Sequence, residues 1–208
     1  MSGAYPVPSA DHRAEETVRK SRFIATVAHV ESAHAARAFI AGVRGEFRGA
    51  AHNCWAFMAG PPGSTNAVGM SDDGEPHGTA GRPMLNVLSG SGIGEIAVVV
   101  TRFYGGVKLG TGGLSRAYSG AVKNALEMLP TISKYSVSSV LIRFPYKYIS
   151  SIRNLSESFG GRILDETYAE AISLTVELPE ETAERFRTVA GNLTNGSIRI
   201  TAPVGDWS

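Results

Sequence analysis

The chain has 208 residues, 43% hydrophobic and 19% charged, with a formal net charge of +1; this excludes a disordered chain and a protein that coats nucleic acid through bulk positive charge. The length allows one large or two small domains, each able to bury a core. A single cysteine, Cys54, rules out an intrachain disulfide and a cysteine-closed zinc site.

The first residues lack the basic start and apolar core of a secretory signal, and no apolar run is long enough to span a bilayer, so a cytoplasmic protein with no membrane attachment is expected. Residues 15–19 and 22–30 read as strands, the second rich in β-branched and aromatic side chains. Ser32 is placed as the N-cap of a helix to about Phe47, with Ala35, Phe39, Ile40 and Val43 as its apolar stripe. Asn53, Trp55 and Phe57 alternate with His52, Cys54, Ala56 and Met58, giving a strand with two populated faces. Pro61, Pro62, Gly63 and Ser64 turn the chain, and residues 67–70 pair back as a hairpin. A short helix over 79–88, capped by Thr79, ends in the Ser/Gly run 89–94. Residues 95–103 form the strongest strand, apolar enough to be central. Leu114, Ala117, Tyr118, Ala121, Val122, Ala125 and Leu126 then recur at helical spacing.

Pro130 ends that helix and residues 131–134 read as a linker, which sets domains at 1–130 and 135–208. Beyond it the pattern is strand 136–144, helix 148–159, strands 161–168 and 171–178, helix 180–193 and strand 197–202. This βαββαβ order is ferredoxin-like. Gly160 and Gly161 close its first helix, and Glu180, Glu181 and Glu184 suit the positive end of the second.

The densest chemistry lies between residues 71 and 118. Gly105, Gly106, Gly110, Gly112 and Gly113 follow a strand and precede a helix, with Arg102 before them, Lys108 among them and Arg116 just beyond. One reading is an anion or phosphate site, in which exposed backbone N–H groups, a helix N-terminus and these cations meet the ligand. The other is a tight strand-to-helix crossover that needs positive φ. Asp72, Asp73 and Glu75, with His77 beside them, can hold Mg²⁺, pair with Arg82, Arg102 or Arg116, or accept backbone hydrogen bonds; pairing is the preferred reading.

Several catalytic signatures fail. There is no GxxxxGK[ST], and Gly92-Ile93-Gly94-Glu95-Ile96-Ala97 precedes its strand instead of following one. Gly113-Leu114-Ser115-Arg116-Ala117 approximates a nucleophile elbow, but no histidine occurs after His77. His52 and Cys54 share a strand face without a third orienting group. Arg102-Phe103-Tyr104 and Arg116-Ala117-Tyr118 interleave charge with aromatics in a way that suits single-stranded nucleic acid.

The blocks DDGEPHGTAGRPML at 72–85 and VVVTRFYGGVKLGTGGLSRAY at 98–118, with KSRFIA at 20–25 and AHNCWA at 51–56, resemble the YigZ/IMPACT family. The resemblance covers the first two-thirds of the chain; the remainder is similar to the smaller C-terminal domain of bacterial YigZ-type members. It implies an α+β fold with a ribosomal-protein-like βαβ N-terminal domain, including an unusual left-handed crossover, followed by the ferredoxin-like domain. It also implies a link to translation control, since eukaryotic members bind the activator of a starvation-sensing initiation-factor kinase. The expectation is therefore a non-enzymatic, translation-associated binding protein contacting ribosome, RNA or a translation-factor partner, or another anion, through residues 72–118. Its expected ligand-binding residues are Asp72, Asp73, Glu75, His77, Arg102, Gly105, Gly106, Lys108, Gly110, Gly112, Gly113 and Arg116, with no cofactor, metal or catalytic residue assigned. The rival is an enzyme acting on a phosphorylated small molecule through the same residues.

Overall fold

Short connections set up the N-terminal sheet. Strand β1 (Ala4–Pro8) is followed by β2 (His12–Val18), which turns into β3 (Ser21–His29) through Arg19 and Lys20 at φ 44° and 67°. Two successive positive φ values match the twist of a two-residue hairpin. Ser32 caps α1 (Ala33–Glu46) as expected, its Oγ accepting the Ala35 N–H at 3.1 Å. The hairpin β4 (His52–Met58) and β5 (Val68–Ser71) comes next, then α2 (Gly81–Gly90), β6 (Ile96–Phe103), α3 (Thr111–Glu127) and β7 (Thr131–Tyr135). The structure, a computed structural model, describes residues 4–201, which divide into two compact units, Tyr5–Lys134 and a second beginning at Tyr135.

The N-terminal sheet runs β2-β3-β6-β4-β5, with every neighbouring pair antiparallel. Both β3 and β4 oppose β6, so they are parallel to each other, and β3–α1–β4 is a βαβ unit with β6 inserted between its strands. Helices cover both faces. Ile96, Val98 and Val100 join Phe23, Cys54 and Ala56 under α2 and α3, while Ala97 and Val99 join Phe57 under Ile40 and Val43 of α1. That two-sided burial explains why β6 reads as continuously apolar, and each such side chain contributes about 1.5–3 kcal/mol.

Two expectations need correction. Residues 131–134, read as a linker, are strand β7, which pairs with β1. Neither strand carries a periodic signal, because β7 is almost wholly exposed and gains little from burial. Side chains reinforce the pairing: Lys134 Nζ lies 2.7 Å from Glu31 and 2.8 Å from Glu95, and the Tyr5 hydroxyl donates to Glu95 at 2.8 Å. Thr79 does not cap α2 either. Its hydroxyl donates to the Pro76 carbonyl at 2.6 Å, and the helix begins two residues later.

The second unit contains β8 (Val137–Phe144), α4 (Ile149–Ser158), β9 (Arg162–Tyr168), β10 (Ile172–Pro179), α5 (Glu180–Leu193) and β11 (Arg199–Thr201). Its antiparallel order β11-β8-β10-β9 is ferredoxin-like, as the element order implies. Strict alternation puts Val140, Ile142 and Phe144 of β8 and Ile172, Leu174, Val176 and Leu178 of β10 against Ile152, Ala183 and Phe186 of the two helices. Residue 202, expected to end the last strand, lies outside the described residues. Among those residues, no helix is long and apolar enough to cross a membrane.

Candidate functional site

Strand register builds the centre of the site. Arg102, at the end of β6, lies directly opposite Phe23 on β3 and His52 on β4. Its guanidinium is held between the rings of Phe23 and Tyr104, 5.5 and 5.4 Å from their centroids. Arg102 is 5% exposed, and its Nη1 donates to Glu75 Oε1 at 2.7 Å. The same oxygen accepts the Tyr118 hydroxyl at 2.8 Å, and Arg102 Nη2 donates to Ser21 Oγ at 3.3 Å. A buried ion pair needs such auxiliary hydrogen bonds to offset desolvation. Arg102 Nε is a buried side-chain donor with no partner among the described residues. Burial, and then the neighbouring Cys54 and Glu75, push the Tyr118 phenol well above its ordinary pKa, so it stays a donor.

Above this pair opens a cavity of about 510 Å³. Glu75 and Arg102 form its buried base, His52, Pro76 and Tyr104 its sides, and exposed Lys108, Gly110 and Thr111 its rim. His52 Nδ1 lies 2.8 Å from the Asp73 carbonyl, which can only accept, so Nδ1 carries the proton. Its Nε2 is left toward the cavity, 4.0 Å from Glu75 Oε1. The rim includes the N-terminus of α3, where Gly110 stands at φ 73° as an N-cap without a side chain. No acidic residue occupies the first turn of α3. Its leading N–H groups and the positive end of its dipole are therefore not offset by a carboxylate of its own first turn.

The expected site residues separate into three groups. Glu75, Arg102, Lys108 and Gly110 line the cavity together. Gly113 and Arg116 line an adjoining hollow of about 370 Å³ with Glu16 and Arg19, and Leu109 borders both spaces. Arg116 reaches back toward its own helix start, since a Cβ at Gly112 would stand 3.6 Å from its Nη1. Neither Lys108 nor Arg116 makes an ion pair among the described residues. Gly112 and Gly113 fall inside the first turn of α3, not in a positive-φ turn. Gly106 takes φ 82° in the preceding loop. Gly105 is required by close approach: a Cβ there would stand 1.9 Å from the Lys20 carbonyl oxygen.

The third group serves the scaffold. Asp72 Oδ1 accepts the N–H groups of Ala80 and Gly81 at 3.0 and 2.8 Å, and Oδ2 accepts that of Gly78 at 2.7 Å. It thereby caps α2 from eight residues upstream. Desolvation alone would raise its pKa, but the three backbone donors outweigh that and hold the carboxyl below its ordinary value. Asp73, at φ 42°, binds Arg44 at 2.5 Å and the Asn53 N–H at 2.7 Å. His77 is fully exposed, 3.8 Å from Asp72. Cys54 Sγ donates to the Asp72 carbonyl at 2.9 Å, and burial pushes its thiol up to about 12, so it is no nucleophile at neutral pH. His52, Tyr104 and Thr111 also line the cavity; the sequence offers His52 only as half of a Cys/His pair and Tyr104 only as part of a charge–aromatic run, and none of the three is among the expected ligand-binding residues. Only the pairing of β4 with β6 places His52 beside Arg102.

A family model described as the Impact N-terminal domain matches residues 19–126, and one described as a domain of unknown function, DUF1949, matches residues 142–197. The chain is 41% identical over 196 residues to IMPACT family member YigZ of Escherichia coli (strain K12), spanning 94% of this chain and 96% of that one. This chain belongs to the IMPACT family. An IMPACT family member of Thermus thermophilus is 33% identical over 162 residues, 78% of this chain and 86% of its own. A crystal structure described only as that of a hypothetical protein aligns with a TM-score of 0.71 at 39% identity, covering 99% of this chain and 100% of that one. Every residue lining the cavity, from His52 to Leu114, falls inside the Impact N-terminal match.

Proposed function

We propose that this IMPACT-family chain is a non-enzymatic binding protein of the translation apparatus, and that it takes an RNA phosphate of its partner at the N-terminus of α3. One observation carries the reading. Lys108, Arg116 and an uncapped helix N-terminus gather at one end of α3, with no carboxylate in its first turn. Cations at the positive end of a helix are unfavourable unless an anion joins them. Exposed Tyr104, stacked on Arg102, offers a face for a base beside the phosphate. The translational setting rests on the family. Ribosome co-sedimentation at graded salt tests the reading. Binding is expected to fall with salt at a slope of about −0.7 to −0.9 per phosphate engaged, and to be lost in a Lys108→Ala, Arg116→Gln double variant. Unchanged binding by that variant, or salt-independent binding, refutes it. Lys108→Ala alone should change stability by no more than about 0.5 kcal/mol, because the lysine is exposed.

A second reading, an enzyme acting on a phosphorylated small molecule, is favoured by His52 Nε2, which faces Glu75 with its other nitrogen fixed by a backbone carbonyl. A thermal-shift screen of nucleotides and sugar phosphates separates the two. A true ligand at 100 times its Kd stabilises by about 2.7 kcal/mol.

A further inference from the structure

The outer face of the C-terminal sheet holds two arginines that no described residue neutralises. In the β8–β11 pairing Arg143 stands directly opposite Arg199. Their neighbours Ile142, Phe144 and Ile200 pack in the core, so both arginines point outward, and both are exposed. Like charges directly opposite across an antiparallel pair repel. Every other arginine of this unit has a partner: Arg153 with Glu166, Arg162 with Glu177, Arg187 with Glu184, and Arg185 over the Phe159 ring. Arg143 and Arg199 have none among the described residues. A charge on an edge strand guards against strand addition, which accounts for Arg199 on β11. It does not account for Arg143, because β8 is flanked by β11 and β10.

The two side chains line a hollow of about 290 Å³ with Ser197, Pro145 and Ala171. On the other side of Arg143, the register places Ser173 of β10 directly opposite it. We infer that Arg143 and Arg199 form an oxyanion site that takes a phosphate group. Two guanidinium forks supply the paired N–H donors that phosphate oxygens accept, and Ser197, which lines the same hollow, adds a hydroxyl donor. An oxyanion between the forks turns the repulsion into two attractions. Every residue that lines the site lies in the C-terminal unit.

The test is a ¹⁵N NMR titration of the full chain with inorganic phosphate at constant ionic strength. Saturable shifts are expected at the amides of Arg143, Ser197 and Arg199, with at least a tenfold weaker response in the Arg143→Gln, Arg199→Gln double variant. No saturable shift at those amides, or an unchanged titration in the double variant, overturns the site. A second readout uses no ligand. In phosphate-free buffer of low ionic strength, Arg143→Gln should melt higher than wild type because the repulsion is gone, and added phosphate should remove that advantage. A lower melting temperature overturns the argument. The phosphate source is settled by adding a uridine decanucleotide. Displacement of phosphate, with steep salt dependence, assigns the site to a nucleic-acid strand; undisturbed phosphate binding assigns it to a small phosphate ester, and either outcome supports the site.

Discussion

Replacing Asp72 by alanine is expected to destabilise the N-terminal unit by about 2–4 kcal/mol. The carboxylate accepts three backbone N–H groups at the start of α2. Gly78 is exposed and its N–H can return to water, whereas Ala80 and Gly81 are buried and cannot. Two buried donors left without acceptors cost about 1–3 kcal/mol each, less some relaxation of the turn. For a unit of this size that corresponds to a fall of roughly 6–12 °C in its melting temperature. Asp72→Asn keeps an acceptor without the charge and should lose about half as much. The pH dependence has a definite sign. The folded carboxyl titrates below its ordinary value, so its ionic contribution is fully present above about pH 4 and disappears as pH falls through the folded pKa. Wild type and Asp72→Asn should therefore converge on acidification. Calorimetric melts at pH 7 and across the acid range measure both effects. An alanine variant melting within about 2 °C of wild type, or a gap to Asp72→Asn that ignores pH, refutes the capping argument.

Glu75→Ala should destabilise by about 3–5 kcal/mol, because it strands a charged Arg102 that is only 5% exposed; in denaturant unfolding, removing Arg102 as well should cost less than the two single losses added. Gly105→Ala should disrupt the hairpin turn at Lys20, since the added Cβ would meet backbone at 1.9 Å, whereas Gly112 lies within α3, where an added Cβ makes only an ordinary 3.6 Å contact with the Arg116 side chain, so Gly112→Ala should be neutral or up to about 0.5–1 kcal/mol more stable. Similar losses from both would contradict the placement of Gly112 in α3. A fragment of residues 1–130 lacks β7 and Lys134, so it should melt lower than a fragment of residues 1–135; equal melting would mean that the β1–β7 pairing and the Lys134–Glu95 bridge contribute nothing.

Local periodicity made most elements readable. Ser32 before an alanine-rich stripe marks the start of α1, the apolar run 96–100 marks a strand buried on both faces, and the strict alternation of β10 announces a half-buried sheet. Composition alone excluded disulfides and bulk polyanion binding. The motif blocks at 72–85 and 98–118 carried the family, and with it the region of the cavity. What each residue does there could not be read the same way. Asp72, Asp73 and Glu75 look equivalent in sequence, yet one caps a helix, one binds Arg44 and the Asn53 N–H, and one lies at the base of a cavity. Arg102 meets His52 and Phe23 only through the register of three strands, and Arg143 meets Arg199 only through that of β8 with β11. These are contacts between residues 50 or more positions apart, set by how whole sheets align to bury their apolar faces. A one-residue slip would turn every one of those side chains to the other face. Side-chain type and local spacing depend on neighbours along the chain and are legible there, whereas the partners of a charge depend on neighbours in space, which only the packed fold supplies.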